Sequence, residues 1–166
     1  VFNKEGRLKM KSKTVLLFLI LLLCLAGCKK AETAEYQKAD VREEKDKVVI
    51  QTEQGKMEVS SDAGKDLELP EGFPSEKLPI YPNGSIVVSE DINGVYNIGI
   101  ATNDDIKLVY EYYKKNLKVQ SITSEMLSGE SANLIIQDDE KIGSVMVMLN
   151  NLPYDFKYII FITYGG

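Results

Sequence analysis

From Lys47 onward, apolar side chains recur at helical spacing in one place and at strand spacing everywhere else. The helical place is "TNDDIKLVYEYYKKNL", residues 102–117. Ile106, Val109, Tyr110, Tyr113 and Leu117 fall at i, i+3, i+4, i+7 and i+11, which is one apolar stripe on a 3.6-residue period. Thr102 with Asp105 three residues on has the form of a capping box, and Asp104 and Asp105 suit the positive end of a helix. Lys114 and Lys115 sit in the last turn, where cations are favoured. The pattern predicts a helix over about 103–117.

The rest of the domain reads as strands. "KVVIQTEQGKMEVSS" holds two β-type runs around Gln54-Gly55, where Gly55 can supply the positive φ of a tight hairpin. "SIVVSE" and "VYNIGIAT" flank Asn93-Gly94, a stronger hairpin signal, and in the second run one face is bulky and the other small. After the helix come "KVQSITSEML", "ANLIIQ", "GSVMVML" and "KYIIFITY", three or four strands, with turns at "QDDEKIG" and "NNLPYD". The last run is apolar on both faces, which predicts a central place in a sheet. Four of the five prolines (Pro70, Pro74, Pro79, Pro82) lie in 69–84, where fixed φ and missing donors predict an extended connector. Pro79 to Pro82 nominally forms a P-x-x-P, but a linker packing Phe73, Ile80 and Tyr81 onto the domain is the simpler reading. Strands in runs with one helix predict α+β: an antiparallel sheet of about five to seven strands with the helix on one face.

Ahead of this domain, residues 29–46 are nearly all polar or Ala and mixed in charge. They cannot bury enough surface to offset their ordering entropy, and with residue 28 they read as a flexible tether. Residues 47–166 then form one domain. Further upstream, Lys11 and Lys13 precede an apolar run from Val15 to Ala26. Those 12 residues fall well short of the roughly 20 a helix needs to span a bilayer. A basic start, a short apolar middle and a small-residue end make a secretory signal. Val1 to Lys9 suit such a signal poorly, because Glu5 and Gly6 interrupt the basic start. The expectation is that they are translated leader and that synthesis starts at Met10.

Leu25-Ala26-Gly27-Cys28 resembles the bacterial lipobox. The resemblance implies cleavage between Gly27 and Cys28, a diacylglycerol thioether on Cys28, and loss of Cys24 with the signal. It places the domain on the extracytoplasmic side of a bacterial membrane or envelope, held by lipid. Two or more acyl chains, at about 0.8 kcal/mol per buried methylene, anchor stably where one does not. Lys29 and Lys30 would then meet anionic headgroups. A metal or redox role for Cys24 with Cys28 would need further ligands, and the chain has no other Cys and no His.

The chain carries a net charge of −5, and the five cations and one acid ahead of Cys28 leave the remainder at −9. Duplex binding rests on Lys and Arg neutralising phosphates, so nucleic acid is a poor partner. Without His, proton transfer near neutral pH would need a strongly shifted carboxylate, Lys or Tyr. No G-x-S-x-G, P-loop or G-x-G-x-x-G is present. Asp104-Asp105 and Asp138-Asp139-Glu140 invite a cation, but neither has the alternating acids and central Gly of a calcium loop. No metal, cofactor or catalytic residue is expected, and the chain does not read as an enzyme.

Of the nine tyrosines, Tyr110 and Tyr113 belong to the helix stripe. Tyr112 lies off it, and together with Tyr81 it is the candidate contact residue. From Phe73 to Leu117 the chain resembles small uncharacterised bacterial lipoproteins, in which a "P-x-Y-P" segment precedes a hairpin, a helix with a "Y/F-Y-K" core and further strands. The likeness rests on Pro79, Tyr81, Pro82, Tyr112, Tyr113 and Lys114 and implies no activity. The function expected is a non-catalytic binding or interaction module at the cell envelope, meeting an envelope protein through a sheet face or strand edge. The alternative is a lipoprotein that binds a small ligand or envelope polymer in a cleft lined by Tyr and Asp. A third is a hydrolase working with carboxylates.

Overall fold

The computed structural model describes residues 39–62, 65–150 and 155–166. Met10, Cys24, Gly27, Cys28 and the first part of the expected tether lie outside the described residues.

Nine strands form one antiparallel sheet. In chain order they are β1 (Asp40–Glu43), β2 (Lys47–Gln51), β3 (Gly55–Ser60), β4 (Ser85–Ile92), β5 (Val95–Thr102), β6 (Ser121–Leu127), β7 (Ser131–Asp138), β8 (Lys141–Leu149) and β9 (Tyr158–Gly165). A single helix, α1 (Ile106–Asn116), follows β5. Across the sheet the order is β1-β2-β3-β4-β5-β9-β8-β7-β6. Two meanders, β1 to β5 and β6 to β9, are thus joined where β9 pairs with β5, and α1 carries the chain from the middle of the sheet to its far edge.

The expected α+β domain of five to seven strands is corrected by this arrangement. One eleven-residue helix against nine strands makes a sheet-dominated fold. Strand β1 shows why the pattern undercounts. Its sequence "DVRE" is exposed throughout and lies in the stretch expected as tether. It is held by register with Val48 to Gln51 and not by burial, so it leaves no hydrophobic signature.

The hairpin signals hold. Asn93 and Gly94 both take positive φ, 53° and 77°, as a two-residue type I′ connection between β4 and β5 requires. Gly55 is needed for a different reason than expected. It does not take a positive φ; a Cβ there would sit 1.9 Å from the Asp91 carbonyl oxygen, so only glycine lets β3 lie against β4 at that point. The last strand, β9, lies between β5 and β8, the central place its two apolar faces predict.

The helix starts later than the sequence suggests. Asp105 is its N-cap, with its carboxylate accepting from the Lys107 backbone N–H at 2.9 Å. Thr102 instead ties the approach, donating to the Asn83 carbonyl and accepting from the Asp104 N–H. Ile106, Val109, Tyr110 and Tyr113 are buried against the sheet as the stripe predicts. They join Ile98, Ile100, Leu134, Ile136, Val145, Ile160 and Ile162 in the main core.

The proline-rich connector lies over this same face. Leu67 donates its N–H to the Ile86 carbonyl, the Ser89 hydroxyl donates to the Glu68 carbonyl, and the Lys118 N–H reaches the Lys77 carbonyl. Phe73, Leu78 and Tyr81 turn inward from it. Helix and connector together roof one face of the sheet.

Candidate functional site

Tyr81 and Tyr112, the residues expected to make contacts, are placed together but turned inward. Tyr81 is buried and donates to the Asp104 carboxylate at 2.6 Å, and its ring meets Tyr112 edge-on with centroids 5.1 Å apart. Burial, and then the Asp104 carboxylate, push the Tyr81 hydroxyl up to about 12. Tyr112 is half-buried and donates to the Ile80 carbonyl at 3.1 Å, while its ring lies edge-on to Tyr113. The three rings clamp connector to helix; the Tyr81 and Tyr112 hydroxyls are engaged within the domain, whereas that of Tyr113 is buried without a well-formed bond. For Tyr81 and Tyr112 this is packing of aromatic bodies with satisfied handles.

A second cluster forms around Lys77, earlier in the connector. Asp138, buried at the end of β7, accepts from the Lys77 ammonium at 2.6 Å and from the Tyr164 hydroxyl at 2.7 Å. Lys77 and then Tyr164 hold its carboxyl below the usual carboxylate range. Burial, followed by Asp138, pushes Tyr164 up to about 12. An open depression of about 520 Å³ surrounds this triad, with Tyr96, Asp139, Glu140 and Lys141 on its walls. The sequence marks Asp138 only as one acid of a polar turn. Its partners come from 61 residues upstream and 26 downstream, a separation no local pattern reveals. Both of its contacts are charge-assisted bonds within the fold, so the triad locks the connector to the sheet.

Asp104 is likewise engaged by Tyr81 and Asn83. Among the described residues no three His, Cys, Asp or Glu side chains converge as a metal site would require.

The remaining feature is the other face of the sheet. Strand pairing puts Val48, Val59, Val88, Gly99, Phe161, Met146, Asn133 and Met126 in one row across eight strands. Beside it runs Ile50, Met57, Glu90, Asn97, Thr163, Ser144, Ile135 and Ser124. Phe156 packs onto this face from outside the sheet, at one end, over Val87, Ala101 and Ile159. Elsewhere large apolar side chains stand open: Ile142 is 60% exposed, Met126 52% and Ile135 36%. By register, among the described residues no Lys or Arg projects from this face within the strands. The carboxylates there are Glu43 at the edge and Glu90 in the middle.

Glu90 is buried by its neighbours, and burial pushes its carboxyl up. It accepts from the Asn97 amide at 2.5 Å, and the Thr163 hydroxyl donates to the Asn97 carbonyl oxygen at 2.9 Å. A short polar relay thus crosses a face that also carries Asn133, Ser144 and Ser124 and, within the strands, no cation. Monomeric proteins rarely leave such a patch contiguous, because it is what a partner covers.

Compared with protein-family models, curated proteins and solved structures, the chain finds no significant match in any of the three. Among the described residues no helix is long and apolar enough to cross a membrane. The features that bear on function are therefore those of this chain alone: the sequence of its N-terminus and the open face of its sheet.

Proposed function

We propose that the chain is a lipid-anchored, extracytoplasmic, non-catalytic interaction module that meets a protein partner of the bacterial envelope through the open face of its sheet. The observation that carries this reading is the largely apolar row from Val48 to Met126, which runs across eight strands of a face with no Lys or Arg within its described strands, in a chain of which 27% is Asp, Glu, Lys or Arg. Leaving that much apolar area in water is unfavourable by about 25 cal/mol per Å². A surface of this kind is maintained where a partner recovers the cost.

The anchor rests on the lipobox-like Leu25-Ala26-Gly27-Cys28. It is tested by feeding cells a labelled fatty acid: the parent chain takes up label and partitions with membranes, whereas Cys28→Ala takes up none. Unlabelled parent chain would remove the anchor from the reading. The face is tested separately with Met146→Glu, a charge placed in its centre. Contacts with envelope protein should be lost while the melting temperature is kept; unchanged contacts would show that the partner binds elsewhere.

The alternative of a small ligand or envelope polymer draws on the depression beside Asp138, which has the Tyr and Asp lining such a site needs. The open face is preferred because Lys77 and Tyr164 both already donate to Asp138, leaving a ligand little to pair with.

A further inference from the structure

We propose that the partner on the open face meets Glu90 with a cation, an Arg or Lys side chain set in a neutral, largely apolar surface. The proposal rests on the interaction-module reading above and adds the chemistry of the partner. It comes from a carboxylate in the middle of that face, most of whose hydrogen-bonding capacity is unused.

Glu90 stands on β4 between Met57 of β3 and Asn97 of β5, and it is buried among its neighbours. One carboxylate oxygen accepts from the Asn97 amide. The other has no bond among the described residues, and it is not sealed from the surface. An ionised carboxylate has about four lone-pair sites, and a single neutral N–H serves this one. That N–H is held in place, because the Thr163 hydroxyl fixes the far end of the Asn97 amide. No charge of the described strands faces the group. Its diagonal neighbours on this face are Gly55 and Val59 of β3 and Val95 and Gly99 of β5, and none of them titrates. Lys56 and Asp91 are paired with each other on the opposite face. Within the described strands the next titratable side chain on the open face is Glu43, three strands away, about 14 Å.

Any cover has to deal with this carboxylate. A neutral surface strips it of solvent and closes at a cost unless Glu90 takes up a proton. A cation instead leaves it ionised and supplies the second oxygen with a charge-assisted bond. Complementarity of charge favours the cation. The described strands carry no Lys or Arg on this face to repel one. The chain beyond Cys28 is strongly acidic and attracts positive partners. Arg is also enriched at the centre of protein contacts, ringed by neighbours that exclude water. A bilayer would bury Glu90 in hydrocarbon, where a carboxylate without a partner is costly.

The two kinds of cover respond to pH with opposite signs. With a cation, contact is strongest when Glu90 is ionised and weakens as pH falls through its carboxyl range. With a neutral cover it strengthens. The test uses the full chain in membranes of its host bacterium, with a photoreactive benzophenone side chain in place of Met57. Illumination should join that side chain to a protein, and mass spectrometry should find a Lys or Arg beside the joined site. Glu90→Gln keeps the shape of the side chain and the acceptor for Asn97 but cannot ionise. It should lower the adduct yield about tenfold or more while the melting transition is kept. In the probe-bearing parent the yield should fall between about pH 7 and about pH 4, and in the Glu90→Gln chain it should stay level.

An undiminished yield from Glu90→Gln, or a joined site with no cation beside it, would overturn the proposal and leave the open face as the contact. A yield that rises in acid, or an acid response shared by both chains, would do the same. Adducts with lipid alone, or none at all, would end both readings.

Discussion

Glu90 is where the open face is least at ease. Burial raises its carboxyl pKa, and the Asn97 amide offsets that only in part. A carboxyl held above its unfolded value keeps its proton more tightly when folded. Its contribution is therefore intact below the unfolded pKa and is lost as pH rises through the folded one. Glu90→Gln keeps the acceptor for Asn97 and cannot ionise. It should melt higher than the parent at pH 7, with the gap closing as the pH falls below about 4. A gap that persists in acid would place the effect in packing instead of charge. Tyr113 is a different case. Its hydroxyl is buried without a well-formed hydrogen bond, which the Tyr81 backbone amide approaches too loosely to supply. A buried hydroxyl left unpaired costs on the order of 1–3 kcal/mol. Tyr113→Phe should thus be neutral or raise the unfolding free energy by about 1 kcal/mol, read from chemical denaturation. A loss of 1 kcal/mol or more would reveal a partner for the hydroxyl.

At the scale of elements, the proline-rich connector of residues 69–84 is held by several polar ties, among them one from β7 and one from β5. Asp138 holds Lys77, and Thr102 holds the Asn83 carbonyl. Lys77 first, and then Tyr164, lower the Asp138 pKa, so its stabilisation is present above the unfolded carboxyl range and is lost as pH falls through the lowered value. Asp138→Asn should accordingly melt lower than the parent at neutral pH and converge with it in strong acid. It should also speed hydrogen exchange of the Lys118 amide, which is bonded to the Lys77 carbonyl. The helix has its own tie, and Asp105→Ala should cost about 1 kcal/mol of unfolding free energy through the lost cap. The apolar stripe of α1, the Asn93-Gly94 hairpin and the central place of β9 were all legible, because each is a local pattern with its own period or turn chemistry. The strand count was not. An edge strand such as Asp40–Glu43 is held by backbone pairing alone, and pairing has no local sequence signature. The same limit hid the Asp138 triad, and it made Tyr81 and Tyr112 read as contact residues. Only the fold brings Asp104 and the Ile80 carbonyl within reach of their hydroxyls.

Taken whole, the molecule has one face built to be stable and one whose stability is deferred. Helix, connector and aromatic clamp cover the first; by our proposal a partner covers the other. That division makes a prediction that neither residue nor element can make. If two open faces close on each other, unfolding is coupled to dissociation, and the melting temperature must rise with protein concentration. A chain whose face awaits a cation from another protein melts at one temperature whatever the dilution, and that is the outcome expected of the purified parent. Two closed copies would instead shift by several degrees across a hundredfold dilution, since each tenfold change in concentration is worth about 1.4 kcal/mol of association free energy. Under the proposed lipid anchor on Cys28, confinement would favour closing of the face, because chains tethered to one surface meet at a higher effective concentration than free ones. The anchor and the open face would then be parts of one device: the first holds chain and partner close enough for the second to close.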